Sequence, residues 1–251
     1  MQWLQFFLII AGCVSCAAEI SPLANQIAAL LKTSYGYSLV DLGFTPQDYA
    51  DFNQIQIRKT LSFHQFDNFQ ALEARIIALL NDVGPSDVAS VQRVAARITT
   101  IVAQIMAASG ESAAWVNVSA SLPTNAYDIS RWHMDGYYFT PVEPMSIMYK
   151  FIMTLVGPST LFYQCPKDIR QEIKAKTSDR LCLQSICTLD KIVVPRQGQG
   201  VFFLSGRTDW SALHSEPKID AKRLFFSVVP CSQKQVVELK KKVARTAVLD
   251  A

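Results

Sequence analysis

The sequence has 251 residues and a formal net charge of +3, with 50% hydrophobic and 18% charged residues. This length and composition provide one substantial hydrophobic core, so a single catalytic or binding domain is the simplest expectation. No run of lysines and arginines is interleaved with aromatic residues, which argues against nucleic acid as a partner.

The first elements in the chain have the features of an export signal. Residues 1–18 carry no charge, and the apolar run Trp3–Ala11 is followed by small residues. The pattern predicts a signal peptide and export to the periplasm or the medium. The sequence around Cys13 also resembles a lipoprotein box, which would give a lipid-anchored form. Without processing, the segment would be a buried N-terminal helix of a cytoplasmic protein, because it is too short to be a transmembrane span.

Four of the six cysteines lie outside this leader, at positions 165, 182, 187 and 231. In an exported protein this even number predicts at least one disulfide, and a bond between Cys182 and Cys187 would be the most local pairing. In a cytosolic protein all four would be thiols. Their spacing does not match a zinc site built from two Cys-x-x-Cys pairs.

Residues 19–112 are predicted to be mainly helical. Apolar residues recur at helical spacing in the second half of this region, most clearly after Pro85. The resulting stripe predicts packing against a sheet, and a coiled coil or membrane-surface role is the alternative. The region Tyr35–Phe66 has no firm period and is interpreted as mixed. The predicted helices cover residues 21–31, 45–52, 69–81 and 86–108.

Residues 113–231 show the alternation of apolar and polar residues that is typical of strands. Short strands with glycine and proline between them indicate a double-sheet jelly roll, also called a double-stranded β-helix, so the expected class is α+β. The charged insert 164–190 predicts either a substrate lid or a helical decoration. The tail 232–251 predicts a C-terminal helix. The predicted strands cover residues 115–119, 127–133, 148–155, 160–163, 191–194, 201–204 and 224–229.

The stretch that carries chemistry begins with His133 and Asp135. In an extended strand side chains alternate between two faces, so these residues present an imidazole and a carboxylate to the same side. His214, after the apolar run 200–204, supplies a third potential ligand. Two histidines and one carboxylate form a facial triad that holds iron(II) and leaves coordination positions open. His64, among aromatic residues, is interpreted as structural.

The order His-x-Asp, then strands, then His214, then Arg223 on the next strand resembles the iron(II)- and 2-oxoglutarate-dependent dioxygenase superfamily. The resemblance covers roughly residues 113–230. It implies a jelly-roll core, Fe(2+) bound by His133, Asp135 and His214, and 2-oxoglutarate as cosubstrate. It further implies hydroxylation of a small-molecule or peptide substrate, because the carboxylate that halogenases lack is present.

The resemblance also implies a basic anchor for the far carboxylate of 2-oxoglutarate. Arg223 stands in the matching place, but the residue two further on, often a serine, is Phe225. Lys150 and Tyr149 are alternative anchors, of which only one can point inward. A surface salt bridge is the alternative role for Arg223.

Arg131 lies two residues before His133 and is predicted to face the mouth of the site. There it would bind substrate or pair with Asp128, whereas Trp132 and Met134 point into the core. Two other classes of protein compete with the dioxygenase reading. One is a jelly-roll binding module without activity, and the other is a cupin-like metalloenzyme that does not use 2-oxoglutarate.

Overall fold

The computed structural model describes residues 22–66, 69–140, 148–165, 169–176, 179–206 and 209–249. The described part of the chain is a mixture of α-helices and antiparallel sheet. The helices are α1 (Pro22–Leu30), α2 (Pro46–Gln54), α3 (Leu72–Val83), α4 (Val88–Ser109), α5 (Arg170–Ala175), α6 (Arg180–Ile186) and α7 (Gln233–Leu249). The strands are β1 (Tyr37–Asp41), β2 (Leu61–Phe66), β3 (Ala113–Ser121), β4 (Tyr149–Val156), β5 (Leu161–Tyr163), β6 (Ile192–Val193), β7 (Gln199–Leu204), β8 (His214–Ser215) and β9 (Arg223–Cys231).

The strands form two sheets, and all neighbouring strands within each sheet pair in antiparallel fashion. The large sheet has the order β1-β7-β4-β9-β3-β2, and the small sheet has the order β6-β5-β8. Both edge strands of the large sheet come from the N-terminal region that was predicted to be mainly helical. The region 19–112 therefore supplies strands to the same sheet as the region 113–231.

The N-terminal helices form where the sequence predicts them, and two of them, α2 and α4, begin at capping residues. Thr45 and Asp48 form a reciprocal capping box at the start of α2, with Pro46 at its first position. The Asp87 side chain accepts a hydrogen bond from the Ser90 backbone N–H at the start of α4. Gly110 ends α4 in the left-handed region, at φ 68°.

The largest hydrophobic core lies between α1–α4 and one face of the large sheet. The apolar stripe of α4 is buried against the sheet as predicted. On β4, alternate side chains such as Phe151 and Met153 point into this core, which leaves Lys150 and Ile152 on the opposite face. That opposite face carries the candidate functional site.

The strand predicted at 127–133 does not form. Residues Asn125–Tyr127 make a 3-10 turn, and the following segment pairs with its neighbour only through an isolated bridge between His133 and His214. A ladder needs successive paired residues, so one bridge holds the segment in place without making it a strand.

The described part of the insert 164–190 is anchored to the rest of the molecule by a few buried side chains. Its Ile173 and Leu183 are fully buried in a cluster with Trp132 and Met134, which confirms that the latter two point into the core. Arg170 is 2% exposed and donates to the backbone carbonyls of Cys165, Ser34 and Asp209. The insert is therefore fixed to the loops around it.

All four cysteines outside the predicted leader are thiols, so the predicted disulfide does not form in the described structure. Cys165 and Cys187 lie in the apolar cluster beneath the insert. Burial raises the pKa of the Cys187 thiol to about 12. The predicted leader lies outside the described residues. No helix in the described ranges is long and apolar enough to cross a membrane.

Candidate metal centre

The backbone bridge between His133 and His214 brings the two imidazoles together. His133 N–H donates to the His214 carbonyl at 2.8 Å, and His214 N–H donates back at 3.0 Å. Residues directly opposite each other in antiparallel pairing place their side chains on the same face. The ring centroids lie 4.3 Å apart as a result.

Asp135 completes a cluster of three potential metal ligands. Its Oδ1 lies 3.5 Å from His133 Nε2 and 3.6 Å from His214 Nε2. The three ligand atoms all lie within 4.8 Å of one another. The structure therefore joins the three residues that the sequence singles out, although 79 positions separate Asp135 from His214.

Both imidazoles turn Nε2 towards the cluster and Nδ1 away from it. Nδ1 of His133 lies 2.7 Å from the carbonyl oxygen of Arg131, and Nδ1 of His214 lies 3.2 Å from that of Ala212. A carbonyl only accepts, so each Nδ1 carries the proton and each Nε2 offers a lone pair. Carbonyl contacts of this kind fix the tautomer and ring orientation of metal-binding histidines.

Two polar side chains contact the other oxygen of Asp135. The Tyr138 hydroxyl donates a hydrogen bond to Oδ2, and the Lys150 ammonium lies 3.3 Å from the same atom. Lys150 is on the inner face of β4, where it faces the cluster. Tyr149 faces the other way, and the centroid of its ring lies 6.1 Å from that of the Phe202 ring. The inclusion of Tyr149 among the cofactor-binding residues is therefore corrected.

The surroundings of Asp135 and His214 favour the protonation states that a metal ligand needs, whereas those of His133 favour its protonated form. Burial opposes ionisation of Asp135, but Lys150 and the two histidines lower its pKa well below the usual range. Burial lowers the pKa of His214, which favours the neutral imidazole. For His133 burial acts in the same direction, but the hydrogen bond and charge of Asp135 raise its pKa overall. Burial and the adjacent carboxylate raise the pKa of Tyr138 well above normal, so its hydroxyl stays protonated.

A cavity of about 200 Å³ connects this cluster with Arg223. Its remaining walls combine three apolar side chains with polar groups. Besides the cluster and Arg223, the lining residues are Arg131, Lys150, Ile152, Thr160, Phe203, Glu216 and Phe225. No residue of the insert 164–190 lines the cavity among those that the structure describes, which is evidence against the lid prediction for that described part.

Arg223 is a buried lining residue of this cavity. It is 8% exposed and donates to the Pro158 carbonyl at 2.9 Å and to the Thr160 hydroxyl at 3.0 Å. Its guanidinium carbon lies 4.5 Å from the centre of the Phe225 ring. Burial lowers its pKa to about 10, which leaves it charged at neutral pH. Within the described ranges no carboxylate pairs with this charge, so the predicted alternative of a surface salt bridge is wrong.

Arg131 lies at the cavity wall, as predicted, but its partner is Glu216 rather than Asp128. Its Nε lies 3.1 Å from Glu216 Oε2, and its Nη2 contacts Oε1. Burial would raise the pKa of Glu216, but the hydrogen bond from Arg131 and nearby positive charge lower it overall. Oδ1 of Asp128 lies 3.9 Å from Nζ of Lys218 instead.

Three lining or contacting residues were not predicted from the sequence. Glu216 lies two residues after His214, just as Arg131 lies two before His133, so strand periodicity could have identified it. Tyr138 lies in a loop, where periodicity gives no direction for a side chain. Thr160, predicted as the first residue of a strand, lies just before β5. These residues became apparent only from their contacts with Asp135 and Arg223.

No family model matches the chain, and no curated protein matches it either. Among solved structures, a prolyl-4-hydroxylase from Pseudomonas putida is similar, with 14% identity, 84% of this chain and 95% of that chain covered, and a TM-score of 0.39. A prolyl hydroxylase from Trichoplax adhaerens, in complex with a hypoxia inducible factor peptide fragment, has 10% identity, 86% and 91% coverage, and a TM-score of 0.42. HygX from Streptomyces hygroscopicus, with nickel and 2-oxoglutarate bound, has 11% identity, 82% and 86% coverage, and a TM-score of 0.40. These likenesses are distant, and the case for a function rests on the side chains of the candidate centre.

Proposed function

We propose that the protein is a non-haem oxygenase that uses iron(II) and 2-oxoglutarate. One observation carries the proposal: a single cavity is lined both by two histidines and a carboxylate that converge and by a buried arginine that makes no salt bridge among the described residues. Two imidazoles and one carboxylate suit iron(II) and leave coordination positions open. Bound iron(II), with 2-oxoglutarate and oxygen, supplies the oxidising chemistry of this class of enzyme.

The three ligand residues would bind the metal through His133 Nε2, Asp135 Oδ1 and His214 Nε2. These atoms already converge, and the carbonyls behind each Nδ1 hold the imidazoles in the binding orientation. The apolar side chains Ile152 and Phe203 line the same cavity.

Arg223 would bind the far carboxylate of 2-oxoglutarate. Its planar guanidinium can donate two parallel hydrogen bonds to a carboxylate, and its burial makes that pairing more favourable. Thr160 already contacts the guanidinium and provides a hydroxyl that can donate to the same carboxylate. It would supply the hydrogen bond that Phe225 cannot make.

The sheet order supports the predicted jelly roll as the proposed architecture of the core, with the six-stranded sheet as its larger layer. We propose hydroxylation of a small molecule or a peptide as the reaction, because the retained Asp135 occupies the position that a halide would need. The substrate would enter past Arg131 and Glu216, which line the cavity with charged groups.

Export stays part of the proposal as well, on the strength of the uncharged apolar leader in residues 1–18. The described thiols are compatible with either location, because buried cysteines in an apolar cluster need no disulfide. Intact-mass measurement on protein from its native compartment tests this point. Retention of Met1 would contradict export.

The test of the function is the conversion of 2-oxoglutarate to succinate in the absence of substrate. Apoprotein is loaded anaerobically with iron(II) and 2-oxoglutarate, then exposed to oxygen, and succinate is measured over time. The wild-type protein should form succinate, and Asp135→Ala should lose nearly all of this conversion. A matched control is Asp41→Ala, which removes a carboxylate that is paired with Arg196 outside the cavity.

Iron(II) binding without binding of 2-oxoglutarate or succinate formation would contradict the proposal. It would favour a cupin-like metalloenzyme. Failure to bind any divalent metal would favour a binding module without activity.

A further inference from the structure

The two oxygens of the Asp135 carboxylate have different surroundings. Oδ1 faces the Nε2 atoms of His133 and His214, at 3.5 Å and 3.6 Å. Oδ2 faces away from them, accepts a hydrogen bond from Tyr138 and lies 3.3 Å from the Lys150 ammonium. One oxygen is thus directed at the centre while the other is held by protein groups.

This difference matters because a carboxylate can bind a metal through one oxygen or through both. With one oxygen, the three protein ligands occupy one face of an octahedral metal and leave the opposite face open. With both, the carboxylate takes an additional position, which would be lost to cosubstrate or oxygen. The mode of carboxylate binding therefore decides how many positions stay open.

We propose that Tyr138 and Lys150 are positioning residues that hold Oδ2 of Asp135, so that the carboxylate offers the metal Oδ1 alone. The inference rests on the proposed function for its consequence, an open face for cosubstrate and oxygen. An ionised carboxylate only accepts hydrogen bonds, so the Tyr138 hydroxyl and the Lys150 ammonium both act as donors to it. Charge-assisted hydrogen bonds of this kind are about twice as strong as neutral ones.

Both donors are held in place by their own packing. The Tyr138 ring meets the Trp115 ring edge-on, with centroids 5.8 Å apart. Lys150 lies in the middle of the large sheet, opposite Phe203 in the register of β4 and β7. Its ammonium is 5.6 Å from the Tyr138 ring centroid and 5.8 Å from that of Phe203, and the side chain is only 18% exposed. Cation–π contacts of this kind favour one position of the ammonium.

The same geometry distinguishes this role from that of a cosubstrate anchor. Lys150 contacts a proposed ligand residue, whereas Arg223 lines the same cavity, contacts none of the three ligand residues and makes no salt bridge among the described residues. Lys150 thus acts through Asp135, and Arg223 acts on 2-oxoglutarate.

The experiment uses Mn(II) as the probe and counts the water molecules bound to it. Wild-type protein, Tyr138→Phe and Lys150→Met are loaded with Mn(II) without 2-oxoglutarate, and bound waters are measured by water-proton relaxation. Tyr138→Phe keeps the ring and its packing, and Lys150→Met keeps most of the chain length. Each variant should carry fewer bound waters than the wild-type protein, and Mn(II) affinity should fall by about 10–100-fold.

Matched controls remove similar groups outside the cavity. Tyr137→Phe alters the adjacent tyrosine, which is 45% exposed, and Lys218→Met alters a lysine that pairs with Asp128. Neither control should change the water count.

An unchanged water count in both Tyr138→Phe and Lys150→Met, with Mn(II) still bound, would overturn the inference. Complete loss of Mn(II) binding from folded Tyr138→Phe would also overturn it, because a positioning residue should only weaken binding. The result is independent of the proposed function, since the measurement needs neither 2-oxoglutarate nor turnover. A protein that binds Mn(II) as expected but never binds 2-oxoglutarate would refute the function and leave the positioning role standing.

Discussion

Asp135 shows how single residues make a buried charge tolerable at this centre. A carboxylate in a desolvated site is costly unless it is paired and hydrogen-bonded. Here Lys150 supplies a positive charge, Tyr138 supplies a hydroxyl donor, and the two imidazoles lie within 3.6 Å. Arg223 differs, because its hydrogen-bond partners in the described structure are neutral and the nearby carboxylate of Glu216 makes no salt bridge with it. It is therefore the residue most in need of an anionic ligand.

At this scale we expect Arg223→Gln to weaken 2-oxoglutarate binding while the metal still binds. Losing one partner of a buried charge pair costs about 2–5 kcal/mol, which corresponds to a loss of affinity of more than roughly tenfold. Isothermal titration of 2-oxoglutarate into Mn(II)-loaded protein measures the change. Arg196→Gln is the control, since its side chain is 75% exposed and pairs with Asp41 outside the cavity. Equal affinities in the two variants would show that Arg223 is not the anchor.

At the scale of secondary-structure elements, a buried polar contact joins helices α2 and α4. Asp51 of α2 is 3% exposed and accepts hydrogen bonds from Arg93 at 2.6 Å and 2.7 Å and from Ser90 at 3.0 Å. The hydrogen bond from Arg93 is the main reason that the pKa of Asp51 lies below its usual value. The contact fixes the helices that cover the sheet, on the face opposite the candidate centre.

We expect Asp51→Asn to lower the free energy of unfolding by about 1–3 kcal/mol at pH 7, because charged hydrogen bonds are lost. A lowered folded-state pKa stabilises the protein above the unfolded pKa, and this stability disappears as the pH falls through the folded value. The difference between variant and wild type should therefore shrink below about pH 4. Urea unfolding at several pH values measures it. Asp41→Asn, in an exposed pair, should change stability by less than about 1 kcal/mol.

At the scale of the whole molecule, the proposed metal binding would be linked to folding through the long-range pairing of two distant segments. The proposed ligands come from a loop and from β8, so a bound ion would connect parts of the chain that only the folded state brings together. Any ligand that binds the folded state alone stabilises it by mass action.

We expect Mn(II) to raise the thermal midpoint of the wild-type protein. At a free concentration about 100 times its dissociation constant it adds about 2.7 kcal/mol, or roughly 5 to 10 °C for a chain of this size. His214→Ala should lose this shift, because one ligand is gone. His64→Ala should keep it, since Nδ1 of His64 accepts from the Trp115 indole at 3.1 Å and lies outside the cluster. A full shift in His214→Ala would exclude the assigned site.

The sequence alone predicted the helices over residues 69–108 and the shared face of His133 and Asp135. The helices follow from backbone periodicity, which acts over a few residues and can be read without knowing the fold. His133 and Asp135 do lie together, but the strand from which this was predicted is reduced to a bridge at His133. The same rule predicted that only one of Tyr149 and Lys150 could point inward. It also placed Trp132 and Met134 in the core.

Only the tertiary structure decided which of Tyr149 and Lys150 faces the cavity and which residues surround the cavity. The choice of Lys150 over Tyr149 depends on which face of β4 the N-terminal helices cover. The pairing of Arg131 with Glu216 joins segments far apart in the chain, next to the backbone bridge between His133 and His214. The contact of Tyr138 with Asp135 is local, but it lies in a loop, where periodicity gives no direction for a side chain. Periodicity sets the direction of a side chain relative to its own strand. Which strands become neighbours is set by the burial of apolar faces across the whole chain, and that is a property of the folded molecule.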